Sequence, residues 1–228
     1  MDQDRWIAHF HRNRQDRPEP DWDAPLTMEP RAHHLLTRSL EQFQLGDGGG
    51  PARLIAWNAR RRLAADPLFA RQAALWFAEE KEHSRLLGEA VRRYGGRPIT
   101  GHWSFSCFLF CRRCFGLGVE LTVLLMTEIA STAYYRLMQR HCGDSALEQM
   151  CALILRDEAA HILFHGDRMR RRGAGLLGRR SRRMLGHAAA TMLWVNHGPA
   201  LRALGATTGA FYGELRRELD RFEGRLGA

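Results

Sequence analysis

Two stretches of the chain, "WFAEEKEHSRLL" at 76–87 and "RDEAAHILFH" at 156–165, each place a glutamate and, three residues later, a histidine where a helix should bury apolar side chains. Apolar residues of an amphipathic helix recur three and four positions apart. In the first stretch that stripe runs Trp76, Glu80, His83 and Leu87, which leaves Glu79, Lys81, Glu82 and Arg85 expected to point outward. In the second it runs Leu147, Cys151, Ile154, Glu158, His161 and His165. A buried carboxylate is costly unless it is paired, protonated or bound to a metal. One Glu-x-x-His is a weak signal, because a buried histidine is commonly a hydrogen-bonded core residue. Two of them, each on the inner face of its own helix, are sharper, since this spacing aims a carboxylate and an imidazole at one point.

The rest of the chain reads as helix around this pair. Residues 1–29 are polar, contain Pro18, Pro20 and Pro25, and look like an extended arm. A first helical region opens at Pro30 and runs towards Ala65, interrupted by "GDGGGP" at 46–51. Asp66 caps a second helix with Pro67 in its first turn, and Gly95 and Gly96 stop it. A third spans about 104–141 and ends at Gly143, and Ser145 with Glu148 forms a capping box for a fourth. A fifth covers about 180–197, and a last one has the stripe Phe211, Leu215, Leu219, Phe222 and Leu226. With 228 residues there is enough chain for one well-filled core. The expected organisation is an arm (1–29), a helical bundle (30–167), and an arginine-rich linker with C-terminal helices packed on the bundle (168–228).

A net charge of +9 invites a nucleic-acid reading. Only Lys81 among 34 basic residues is a lysine, however, as a biased codon supply would produce. The dense cluster "RMRRRGAGLLGRRSRR" at 168–183 needs no partner if it is a solvated linker; contact with nucleic acid or an anionic membrane is the competing reading. The charged start "MDQDRWIAHFHRN" does not resemble a signal peptide, and five cysteines suggest free thiols in a reducing cytoplasm. Cys107, Cys111 and Cys114 have the C-x3-C-x2-C spacing that holds iron–sulfur clusters in a barrel loop. On a helix they read instead as small apolar core residues.

The paired Glu-x-x-His motifs resemble those of the ferritin-like superfamily, in its rubrerythrin-like and di-iron oxidase branch, over roughly residues 31–166. The resemblance implies an all-α fold: a ferritin-like four-helix bundle with one carboxylate from each of the first and third helices and Glu-x-x-His from the second and fourth. Here one or two C-terminal helices would be added. "LGD" at 45–47 is similar to the segment that carries the first-helix ligand in rubrerythrins. Depth in the bundle discriminates among candidates. At 1.5 Å per residue Asp47 and Glu80 differ by only ~5 Å from their shared turn, whereas Glu41 would be misplaced by ~13 Å. Glu128 and Glu158 lie equally far from the turn at 142–145, whereas Glu120 would miss by ~12 Å. The expected metal ligands are therefore Asp47, Glu80, His83, Glu128, Glu158 and His161, with His165 supporting them from outside. Asp47 is one methylene shorter than the family's glutamate, and three glycines and a proline follow it, so the helix should break and its metal position should be the weaker one.

Four carboxylates and two imidazoles suit two iron ions, or manganese, rather than structural zinc. The resemblance implies oxidase or oxygenase chemistry on dioxygen or peroxide with an external electron donor; a homodimer is compatible with it. Tyr135, seven residues after Glu128, is a candidate to bond an oxygen species or relay an electron; the competing reading is a core tyrosine. The alternative function is a non-enzymatic iron-handling or interaction protein with a degenerate site.

Overall fold

The computed structural model describes residues 4–48, 52–171 and 178–227, the side chains of 47 and 48 excepted. Every regular element among the described residues is a helix: α1 (Arg5–Gln15), α2 (Pro30–Gly48), α3 (Ala59–Ala64), α4 (Pro67–Arg93), α5 (Trp103–Cys114), α6 (Leu117–His141), α7 (Ser145–Arg171), α8 (Arg179–Ala203) and α9 (Thr208–Gly227). Helix α6 is the hub and packs against α5, α7, α8 and α9. Helix α2 lies on α4 and α8, and α4 meets α7 and α1. By length and composition α6 could cross a membrane, yet 67% of its apolar window is buried among its neighbours.

The helix ends follow local chemistry. The Asp66 side chain accepts from the Phe69 amide at 3.0 Å, and Pro67 occupies a first-turn position where no amide hydrogen is needed. Gly95 (φ 70°) and Gly143 (φ 62°) adopt the left-handed backbone that turns the chain after α4 and α6. The cap of α7 is Asp144 rather than Ser145: its Oδ1 accepts from the Ala146 amide at 3.1 Å. Its carboxylate also takes Arg93 at 2.9 Å and the Tyr94 hydroxyl at 2.8 Å, so one anion anchors two helices.

Three expectations are corrected. The first concerns residues 1–29, where 5–15 form a helix rather than extended chain. Trp6, Ile7 and Phe10 are buried, and Trp6 and Phe10 meet Phe164 ring-edge to ring at 5.5 and 5.7 Å, so the apolar spacing prevails over the polar composition. The second concerns 104–141, which is two helices. Phe115 is extended at φ −109°, ψ 157°, just before Gly116 and Gly118, which weaken a helix there, and the Leu117 amide is taken by Asn58 Oδ1 at 2.8 Å. The third concerns 168–183. On either side of 172–177, which lie outside the described residues, this segment is the end of α7 and the start of α8. Arg182 bonds Glu223 at 2.6 Å, Arg183 bonds Asp220 at 2.5 Å, and the Arg168 guanidinium covers the Phe69 ring at 3.1 Å. Three of the eight arginines of this segment are thus engaged by other parts of the fold. Helix α8 also continues past 197 to Ala203, through Pro199, while α9 buries Phe211, Leu215, Leu219 and Phe222 as its spacing predicts.

Candidate metal centre

Where α4, α6 and α7 meet, Glu80, His83, Glu128, Glu158 and His161 come together. They form two overlapping clusters, Glu80–Glu128–His161 and Glu80–His83–Glu158, and within each one ligand atom per residue lies within 4.8 Å of the others. Glu80 belongs to both. Its Oε1 lies 3.0 Å from His161 Nδ1 and its Oε2 lies 3.8 Å from His83 Nδ1. Glu158 spans the same pair from the opposite helix, 3.8 Å from each Nδ1. The two imidazoles face each other with centroids 5.7 Å apart. His83 Nδ1 and both Glu128 oxygens are buried and have no hydrogen-bond partner, while His161 Nδ1 has only the Glu80 carboxylate beside it. Buried polar atoms are normally satisfied, and several unsatisfied ones converging on one point are the arrangement a cation relieves.

The outer nitrogens are held in a crossed pattern. His83 Nε2 bonds Asp157 Oδ2 on α7 at 2.9 Å, and His161 Nε2 bonds Glu79 Oε2 on α4 at 2.9 Å. Asn13 of α1 donates to both carboxylates, 2.7 Å from Glu79 Oε1 and 2.7 Å from Asp157 Oδ1, and Arg17 pairs with Asp157. Each imidazole is thereby fixed with Nδ1 facing inward, the orientation that outer carboxylates impose on histidine ligands. Glu79 is 4% exposed, which corrects the expectation that it points to solvent. Glu79, Asp157 and Asn13 were missed by sequence reasoning. A signal was present: each motif is preceded by an acid, giving Glu79-Glu80-x-x-His83 and Asp157-Glu158-x-x-His161.

Burial disfavours charge on His161, yet Glu79 and Glu80 outweigh it and raise its pKa well above the usual imidazole value. His83 is raised too, by Asp157 and Glu80 against the cost of burial. Burial pushes the Glu80 carboxyl up, and His161 and His83 bring it below its ordinary value; Asp157 is lowered likewise by His83, Arg17 and Asn13. Fields that favour protons on two imidazoles also favour a cation between them, so metal and proton compete for the same atoms.

The other expected residues are placed as follows. His165 Nε2 lies 3.6 Å from Glu128 Oε1, beside the cluster, with its ring edge-on to Trp76 at 4.5 Å. Tyr135 lies in the aromatic core, 5.1 Å from the Phe43 ring and 5.6 Å from Tyr134. The Asp47 side chain falls outside the described residues, and so do residues 49–51, where the glycine run predicts a break. Glu41 and Glu120 are engaged elsewhere, as the depth argument requires. Glu41 accepts from the Arg97 amide at 2.9 Å, and Glu120 accepts from the amides of Ile55 and Ala56 at 2.7 and 2.8 Å.

A cavity of about 170 Å³ adjoins the cluster. Glu80, Glu128 and Glu158 line it together with Phe43, Phe77, Phe105, Phe108, Leu124 and Leu193, and Arg112 and Asn196 add polar groups. An apolar cavity of ~150 Å³ holds a benzene-sized group. His197 also lines it, held neutral because burial depresses its pKa to about 3, and its Nδ1 lies 2.9 Å from Ser39 Oγ. No family model matches the chain, and neither a curated protein nor a solved structure matches it.

The crossed bonds have a testable effect. Glu79→Gln keeps the shape but removes the charge behind His161, and metal affinity should fall by ~10–100-fold. Competition with a chromophoric chelator measures it. Affinity equal to wild type would mean that Glu79 only fills space.

Proposed function

We propose that the chain is a ferritin-like dinuclear carboxylate protein, with iron or manganese, that oxidises a substrate held in the adjoining cavity at the expense of dioxygen or peroxide. The observation that carries this reading is the pair of clusters sharing Glu80, each with a histidine Nδ1 turned inward to the carboxylates while its other nitrogen is fixed by a carboxylate of the opposite helix. Carboxylate and imidazole donors suit iron or manganese, whereas structural zinc favours thiolates in a closed tetrahedron. The pairing of α2 with α4 and of α6 with α7 supports a four-helix bundle to which α8 and α9 are added.

A bound metal pair would supply Lewis acidity and one-electron steps, with electrons from a separate donor. The chain's own residues define the rest. Glu80 would serve both positions, Glu158 the one with His83 and Glu128 the one with His161, with His165 beside Glu128. Asp47 is the residue proposed for the other side, where its shorter reach would leave the more labile position. The aromatic walls offer an apolar substrate group a place beside the carboxylates.

Metal analysis of aerobically purified protein, with optical spectra before and after peroxide, tests this reading. Iron or manganese approaching two per chain, with a spectrum that responds to peroxide, is expected. Zinc alone, or no stoichiometric metal, refutes it. Redox-active metal with no oxygen consumption under any reductant would favour iron handling without catalysis.

A further inference from the structure

Helix α5 is apolar on both faces. Its inner face, with Phe105, Phe108 and Arg112, closes the cavity. Its outer face carries Trp103, Cys107, Phe110 and Cys114 at i, i+4, i+7 and i+11, a stripe ~16 Å long at 1.5 Å per residue. Cys107 and Cys114 are exposed, which corrects their expected place in the core. Trp103 is 57% exposed and Phe110 63%. Phe115 (52%) follows directly. The turn after it rests on the loop that bears Trp57, which is 71% exposed: Arg112 bonds the Arg53 carbonyl at 2.7 Å, and Asn58 holds the Leu117 amide. Single exposed apolar residues are ordinary, but two tryptophans and two phenylalanines exposed on one helix, its end and the adjoining loop mark a contact surface. A helix hydrophobic on all sides is normally buried on all sides.

The surrounding charge selects the occupant. The two segments that build this surface, 52–65 and 97–119, contain seven arginines and no acidic residue. Arg112 turns inward to Glu120, while Arg53, Arg60, Arg61, Arg62 and Arg113 are exposed. A second copy of the chain would bring the same positive field against itself. Tryptophan and phenylalanine flanked by arginine is the composition of a surface that lies in the headgroup region of an anionic bilayer. The geometry points to α5 and the Trp57 loop as a lipid-docking face that seats the protein on an anionic membrane without spanning it. This face is built from other residues than the arginine segment at 168–183, and docking there sets the cavity one helix diameter, ~10 Å, behind the lipid surface.

Co-flotation of the full chain with vesicles of phosphatidylcholine alone, or mixed with phosphatidylglycerol, tests the inference. Binding to the mixed vesicles that weakens with added salt is expected. Trp103→Ser with Phe110→Ser should lower the partition coefficient by more than about tenfold. The combination Arg60→Gln, Arg61→Gln and Arg62→Gln should lower it by about fivefold per arginine, with the fold intact by circular dichroism because all five positions are exposed. Failure to float with anionic vesicles, or flotation unchanged in both variants, overturns the inference. So does a dimer seen by light scattering that Phe110→Ser dissociates when no vesicle binding occurs; the face would then be a self-association surface. None of these outcomes depends on metal content.

Discussion

Purified Glu80→Ala protein is expected to carry no stoichiometric metal while its helices remain folded. Glu80 is the one residue common to both ligand clusters, and its two oxygens face different histidines, so its loss removes a donor from both positions at once. Affinity should fall by more than the ~10–100-fold typical of losing a supporting carboxylate, because here a donor itself is lost. The fold has less at stake. Alanine is the better helix former, and the two imidazoles that Glu80 faces can shed their protons when it is gone. The structural losses are the 3.0 Å contact with His161 Nδ1 and the 3.0 Å bond from Trp76 Nε1, the latter worth about 1 kcal/mol. Elemental analysis beside far-ultraviolet circular dichroism reads both quantities. Wild-type metal content in Glu80→Ala would end the assignment of this site.

Glu120→Ala should do the reverse. Glu120 is fully buried, and its carboxylate takes two loop amides and the guanidinium of Arg112, itself 4% exposed. Breaking a buried pair by removing one partner leaves an uncompensated charge and costs ~3–5 kcal/mol. Two orphaned amides add to that loss. Metal per folded chain should be unchanged, because Glu120 faces the 53–58 loop rather than the clusters. Urea unfolding measures the first effect and elemental analysis of the folded fraction the second. A loss of stability under ~1 kcal/mol would mean the pair is not structural, and parallel loss of metal would place Glu120 in the site.

The contrast between these two glutamates was open to reasoning from the chain alone. Both sit on helical stripes, but only one lies at the depth shared by the paired motifs, and depth follows from the fixed helical rise. The same logic reached Glu128 and rejected Glu41. It failed for Glu79, because a residue one position from a stripe can face in or out, and what decides is whether a partner waits across the interface. For Glu79 that partner is His161 Nε2 on a helix 82 residues away.

Local rules were enough for what depends on neighbours in the chain: the Asp66 cap, the glycine turns at 95 and 143, the all-helical class, and the spacing that aims Glu80 with His83 and Glu158 with His161. These are settled by backbone sterics and a 3.6-residue period, which act over a few residues. Tertiary structure decided the rest. It folded α1 over the site so that Asn13 could tie Glu79 to Asp157, and it gave the cap of α7 to Asp144, whose carboxylate Arg93 and Tyr94 also engage. It broke the helix at Phe115 so that Asn58 could hold the Leu117 amide, leaving α5 apolar on both faces over the cavity. Each outcome turns on satisfying a buried polar group with a partner distant in sequence, and periodicity carries no information about which distant partner arrives.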